Sequence, residues 1–305
     1  MPPIDEQPLI NENQPLQRYY GTLESRIGYR LVLGGTRHFG FYTPGSYWPF
    51  PIGSALRAME DHLIESLGLE QGSKVLDAGC GVGHVAIHLA KKGYCVQGID
   101  VVDHHIVKAR RNVEAEGLQG IVTVTKGDYH HLNAFADGSF DGAYTMETFV
   151  HATQPEVAAA EFFRVIRPGG SLAMYEYDHV DFSNEEKWVG KSWAEINKYT
   201  AMPANDRFKQ GVLEDILEEA GFEEVVVRDL SDNIVPMMRF FYILAFIPYM
   251  IIAFLGLKHM FANTVAGYEG YVYRDAVRYI VVSARKPLVG EISGGEEAPV
   301  RKRDY

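Results

Sequence analysis

A chain of 305 residues, 47% apolar and 23% charged, is long enough for one large domain or two small ones around a sizeable core. The formal net charge of −11 repels a phosphate backbone, and the one basic cluster, Arg301, Lys302 and Arg303, reads as a solvated tail end, so no nucleic-acid partner is expected. Two cysteines, Cys80 and Cys95, are too few for a disulfide framework or a zinc cluster and fit a reducing, cytoplasmic compartment.

In chain order, the polar, Pro-rich start "MPPIDEQPLINENQPLQ" lacks the build of a secretory signal and reads as a flexible lead-in. "SALRAMEDHLIESLGL" has helical spacing, and "KVLDAG" is a short buried strand closed by glycine. A helix in "HVAIHLAKKG", a strand in "YCVQGID" and a helix in "DHHIVKARRNVEAEG" follow, the last opened by Asp103 and stopped by Gly117. Strands are predicted in "IVTVTKGD" and "FDGAYTM", then a helix in "PEVAAAEFFRVIRPGG" begun by proline, then a strand in "SLAMYEYD". Helices in "EEKWVGKSWAEINKY" and "GVLEDILEEAG" precede strands six and seven, "EEVVVRDLS" and "YIVVSARKP". Alternating β and α units with short connections mean an α/β, doubly wound sheet.

Phe240 to Leu257, "FFYILAFIPYMIIAFLGL", carries no charge and reaches the length of a membrane span. It lies between strands six and seven, which must share one side of any membrane if they share a sheet. A full span conflicts with that, and Pro248 interrupts the run. Two readings remain: a helical cap over an apolar pocket, or an amphipathic hairpin lying on a membrane surface.

"VLDAGCGVGH" follows the first strand and opens a helix. Its glycines, Gly79, Gly81 and Gly83, let the backbone turn tightly near a ligand at the helix N-terminus. Asp100 ends the second strand, where a carboxylate can bind both hydroxyls of a ribose. The glycines do not follow the dinucleotide spacing, and Asp77 supplies a carboxylate suited to an amino-acid-bearing sulfonium.

These motifs resemble the class I S-adenosylmethionine-dependent methyltransferases over roughly residues 20 to 287. "LGGTRHFGFY", "METFVHAT" and "PGGSLAMYEYD" are similar to the sterol 24-C-methyltransferase and tocopherol methyltransferase branch, which also holds natural-product N- and O-methyltransferases. The resemblance implies a Rossmann-like seven-stranded sheet with an antiparallel last strand, and S-adenosyl-L-methionine as cofactor, leaving S-adenosyl-L-homocysteine. It assigns cofactor contacts to Asp77, Gly79, Cys80, Gly81, Gly83, Asp100, Val101, Asp128, Tyr129 and Met146. The implied organisation is a lead-in (1–17), an N-terminal cap (18–70), a cofactor domain (71–287) with an apolar insertion (232–270), and a disordered tail (288–305).

Methyl transfer needs alignment and exclusion of water, and needs a base only where the acceptor must lose a proton. Glu147 and His151 stand four apart, so they share a face if that stretch is helical. His151 is then a general base with Glu147 orienting it, or a pocket histidine. Tyr20, His38, Tyr42, Tyr175, Glu176 and Tyr177 are further pocket candidates, although strand alternation sends Tyr175 and Glu176 to opposite faces. Adjacent histidine pairs diverge, so no metal is expected. The sterol enzymes carry an early carboxylate where "GYRLVLGG" has none, and Tyr-Glu-Trp where this chain has Tyr-Glu-Tyr. The expected function is methylation of nitrogen or oxygen on a hydrophobic small molecule in secondary metabolism. The alternatives are a sterol or prenyl-lipid C-methyltransferase at a membrane surface, touching it through 240–257, and a non-catalytic cofactor-binding protein.

Overall fold

The computed structural model describes residue 10 and residues 13–182 and 187–288. The tail 289–305, with the Arg301–Arg303 cluster, and most of the expected lead-in lie outside the described residues.

Short apolar runs ending in glycine or a carboxylate become the central strands: β1 (Lys74–Ala78), β2 (Cys95–Asp100), β3 (Val122–Lys126) and β4 (Phe140–Met146). With β5 (Ile166–His179), β6 (Glu223–Asp229) and β7 (Val277–Arg285) they form one sheet in the order β3-β2-β1-β4-β5-β7-β6. β1 is parallel to β2 and β4, and β5 is parallel to β4, while β7 runs antiparallel to both β5 and β6. β5 starts earlier than its apolar run suggests. Ile166 already pairs with Phe140, and a bulge over Arg167–Gly170 restores register at Ser171. Only glycine fits at 170, where a Cβ would sit 2.5 Å from the Asp141 carbonyl oxygen.

Period-2 alternation divides the core. Val75 and Tyr144 face one side with Met59 and Leu63 of α3 (Ile52–Leu67) and Leu89 of α4 (His84–Lys91). Leu76 and Met174 face the other with Phe162 of α6 (Pro155–Val165) and Leu217 of α8 (Val212–Glu219). α5 (Asp103–Ala115) joins the first layer through Ile106 and Ala109. Burial of each such side chain contributes about 1.5–3 kcal/mol.

Three further sets of helices sit over the C-terminal ends of the strands. α1 (Gln14–Gly21) begins inside the stretch read as lead-in, because Asn13 Oδ1 accepts the Leu16 N–H and Pro15 suits the first turn. α2 (Leu23–Leu33) follows it, and α7 (Lys187–Thr200) comes after β5. The apolar run lies in α9 (Ser231–Phe254) except for its last three residues, which turn out of the helix, and this single helix contains Pro236 and Pro248. Pro248 therefore does not interrupt it. α10 (Ala262–Val272) packs back along α9, with Gly267 against Phe241 and Ala245, one turn before the proline, and this contact supports the helix where the proline removes a hydrogen bond.

Candidate active site

Two connected cavities open at the C-terminal ends of β1, β2, β4 and β5, where open α/β sheets bind ligands. The smaller, about 100 Å³, is lined by Asp77, Gly79, Cys80, Gly81, Asp100 and Val101, and also by Asp128, Tyr129 and Met146. Nine of the ten residues assigned to the cofactor thus meet there. Gly83 does not. It precedes α4 with φ 82°, and a Cβ on it would press on Ala109 of α5 at 3.3 Å, so its job is helix packing.

The loop holds its shape through Gly79 and Asp100. Gly79 has φ 97°, and a Cβ there would lie 2.7 Å from the Thr148 side chain. Asp100 accepts the Gly81 N–H (2.9 Å) on one oxygen and the Val102 N–H (2.8 Å) on the other. Burial pushes its carboxyl up, but His105 and these two N–H donors outweigh burial and hold it below the usual carboxylate range. Asp77 is different: its Oδ2 is buried without a hydrogen-bond partner. Burial, with the charges of Asp100 and Glu60 nearby, pushes its carboxyl up to about 7 against the pull of Tyr144. An unpartnered buried carboxylate oxygen in a glycine-built cradle fits the ammonium end of S-adenosylmethionine.

His130, between the two layers of this network, was missed by sequence reasoning. Its Nδ1–H donates to Asp128 (2.5 Å), and its Nε2 accepts the Thr153 and Gln154 N–H groups at 3.2 and 3.3 Å. Tyr129 donates to the Thr148 carbonyl at 3.0 Å. The loop after β3 is thereby tied to the start of α6.

The larger cavity, about 470 Å³, lies between α1, α2, α7, α9 and α10 and the ends of β5 and β7. Phe39, Ile196, Met238, Phe241, Tyr177 and Tyr279 make its wall predominantly apolar and aromatic. Tyr20, Arg37, His38, Glu147 and His151 line both cavities and form the seam between them.

Glu147 and His151 do not act as one pair. β4 ends at Met146, Glu147 turns through φ 56°, and only Phe149–His151 forms a 3-10 turn, so the two are not on one helical face. Glu147 accepts the Phe39 N–H (2.7 Å), the Tyr177 hydroxyl (2.5 Å) and the Tyr279 hydroxyl (3.0 Å). Burial raises its carboxyl, against the pull of these donors. His151 Nδ1 faces the Ala201 carbonyl at 2.8 Å, and Nε2 faces the Tyr20 hydroxyl at 3.0 Å. Burial lowers its pKa to about 4. The ring is neutral, Nδ1 carries the proton, and Tyr20 donates to Nε2.

Among the other pocket candidates, Tyr20, His38 and Tyr177 line the larger cavity and three do not. Tyr42 is buried beside Leu56 and Met237 and donates to the Pro49 carbonyl. The Tyr175 hydroxyl meets His62 Nδ1 (2.6 Å) and Ser66 Oγ (2.9 Å) beneath α3. Glu176, fully buried, accepts the Thr145 hydroxyl and the N–H groups of Thr148, Phe149 and Val150. It anchors the turn after β4 and touches neither cavity.

Asn205 is a polar feature of the larger cavity that sequence reasoning missed. Asp206 accepts from Asn197 Nδ2 (2.6 Å), and Asn197 Oδ1 accepts from Asn205 Nδ2 (2.9 Å). This relay leaves Asn205 Oδ1, buried in the cavity wall, without a partner. Among the described residues no group of three or more His, Cys, Asp or Glu could hold a metal ion.

The profile of a family described as a methyltransferase domain matches residues 76–174. An S-adenosyl-L-methionine-dependent Diels-Alderase of Talaromyces variabilis is 44% identical over 276 residues, covering 89% of this chain and 94% of that one. Another from Neonectria sp. is 45% identical, covering 72% and 86%. A sterol 24-C-methyltransferase of Neurospora crassa is 31% identical, covering 81% of this chain but 63% of that one. Among solved structures, the [4+2]-cyclase SpnF has the same fold with a TM-score of 0.71 at 23% identity, covering 91% of this chain and 96% of that chain.

Proposed function

The chain belongs to the class I S-adenosylmethionine-dependent methyltransferase family, and on that premise we propose that it is a cofactor-dependent cyclase that closes a ring in an apolar natural-product precursor by [4+2] cycloaddition. The observation that carries this reading is that Glu147 and His151 are both held inside the protein by hydrogen bonds, beside a large apolar cavity. Neither stands as a base toward a bound acceptor, and a cycloaddition needs none. The extensive similarity to two Diels-Alderases supports the same reading.

In such a closure a diene and an alkene of one molecule form two carbon–carbon single bonds. Three π bonds become one, no proton or group leaves, and the mass is unchanged. What remains for the protein is to fold a flexible chain into a reactive pose and to polarise the alkene. The aromatic wall of Phe39, Tyr177, Phe241 and Tyr279 provides the shape. Arg37, at the seam and stacked over the Tyr20 ring at 4.5 Å, is the donor for a carbonyl conjugated to the alkene.

Asp77, the Gly79–Gly81 turn, Asp100 and the Asp128–Tyr129 loop would hold the cofactor. When bound, S-adenosylmethionine supplies a positive sulfonium and an electrophilic methyl group. The second reading, methyl transfer to nitrogen or oxygen, rests on the shared seam: an acceptor in the larger cavity would lie next to the cofactor cavity. The two readings separate in one experiment. Cells of the source organism lacking this chain accumulate its substrate, which is incubated with purified protein and cofactor bearing a deuterated methyl. A product of unchanged mass without S-adenosylhomocysteine is expected. A product that gains the label would replace the cyclase reading with methyl transfer.

A further inference from the structure

α9 has two unlike sides. Its inner side, through Met238, Phe241, Ala245 and Pro248, lines the larger cavity. Its outer side is exposed over three turns: Ile243, Phe246, Ile247, Met250, Ile251 and Phe254, with Ile247 at 69% and Phe254 at 90% exposure. Next to it stand the exposed Tyr47, Trp48 and Phe50, with the Phe50 ring 5.3 Å from that of Phe240. We propose that this face docks on an electrically neutral lipid bilayer, lying in its surface.

The topology excludes a span. By length and composition α9 could cross a membrane, but α10 returns along it and β7 then pairs with both β5 and β6. Both ends of the insertion therefore stay on the side of the sheet, and the helix lies flat. The chemistry of the face favours lipid over a protein partner. A protein interface carries about one hydrogen bond per 100–200 Å². The outward side chains of α9 offer no donor or acceptor, and the Tyr249 hydroxyl turns inward to Glu269 at 2.6 Å. A bilayer interior asks for none. Tyr47 and Trp48 add the amphipathic aromatics that settle at a membrane–water boundary.

Charge selects the kind of bilayer. The two basic residues flanking the run are engaged within the protein. Arg239 donates to the Tyr47 carbonyl (2.7 Å) and stacks on its ring, and Lys258 binds Glu269 (2.8 Å). With both flanking cations engaged and a net charge of −11, the described residues of this face have no charge that favours an anionic surface over a neutral one. Leu244 is half-exposed on this face and also lines the larger cavity, so the rim of the cavity reaches the bilayer side, where an apolar substrate concentrates.

The test is co-sedimentation of the full chain with vesicles of phosphatidylcholine alone or mixed with phosphatidylserine. The protein should bind pure phosphatidylcholine vesicles and gain nothing from phosphatidylserine. The double variant Ile247→Glu, Phe254→Glu should lower vesicle partitioning more than about tenfold. These residues line neither cavity, so cofactor binding should be unchanged and reports that the variant is folded. Absence of binding to phosphatidylcholine, binding only with phosphatidylserine, or equal binding by the folded variant would each overturn the proposal. A lipid-free dimer that the variant abolishes, without vesicle binding by the parent, would identify a second copy as the occupant instead.

Discussion

The Tyr20 hydroxyl lies 3.0 Å from His151 Nε2, while the other ring nitrogen of His151 faces the Ala201 carbonyl at 2.8 Å. Both nitrogens of the ring are committed within the protein. A histidine in the position of a general base thus serves as a rigid strut between α1 and the turn after α7.

The pH response follows from this strut. Burial lowers the His151 pKa to about 4, so its neutral form persists through the physiological range. Turnover at saturating cofactor should be flat between about pH 6 and 9, measured as initial rates. A tenfold rise per pH unit in that window would mean that turnover needs a base that titrates there, against a cycloaddition. Stability has its own sign. The unfolded chain takes this proton with an ordinary pKa of about 6.5, so the folded state loses stability as pH falls from there towards about 4.

Asp77 makes cofactor affinity pH-dependent. Its carboxyl, at about 7 before binding, must ionise to pair with an ammonium group. Isothermal titration should show affinity for S-adenosylmethionine falling about tenfold from pH 8 to pH 6. Asp77→Asn should bind weakly at both and lose the dependence; a retained dependence would place the linkage elsewhere.

Arg37→Met keeps an unbranched stem and removes the guanidinium that lies over the Tyr20 ring. If it polarises the substrate, kcat should fall about a hundredfold, the scale for losing one donor to developing charge. A change in KM alone would reduce Arg37 to a binding contact.

Glu147→Gln should cost stability. It replaces one carboxylate oxygen with an NH₂, which meets the Phe39 and Tyr279 donors in the place of Oε1, or the Tyr177 donor in the place of Oε2. Urea unfolding should show a loss of about 1–3 kcal/mol with an unchanged slope. An unchanged midpoint would mean the cluster tolerates rearrangement.

Asn205→Leu removes the donor to Asn197 Oδ1 inside the protein. Urea unfolding should show a loss of about 1–3 kcal/mol, the scale for leaving a buried acceptor unpaired. An unchanged midpoint would mean that Asn197 finds another partner.

The sheet and the cofactor loop were legible because local chain geometry writes them. Strand runs end in Asp77 and Asp100, and glycines occupy the turns that need φ > 0. The seam was not. Alternation correctly put Tyr175 and Tyr177 on one face, but not their depth: Tyr177 lies two residues, about 6.6 Å, nearer the strand end, and reaches the cavity while Tyr175 stays under α3. Asn205 owes its role to Asn197 and Asp206, a relay fixed by the turn after α7 and silent in spacing. Pro248 read as an interruption because propensity ignores neighbours, and the close contact of Gly267 with α9 is a tertiary feature.

α1 gives the molecule a memory. Asn13, Leu16 and Tyr20 lie over the cofactor cavity, Gln17 Nε2 donates to the Val101 carbonyl at 2.9 Å, and Tyr19 is fastened to Asn263 of α10 at 2.6 Å. A cofactor that leaves past this helix would have to break its bonds to both the cofactor loop and the substrate roof. A catalyst that consumes its cofactor would repeat that detachment every cycle, whereas one that keeps it makes the exchange once and then cycles with the same molecule in place. On such a frame the residence time of the cofactor, rather than its supply, sets how long one polypeptide stays active.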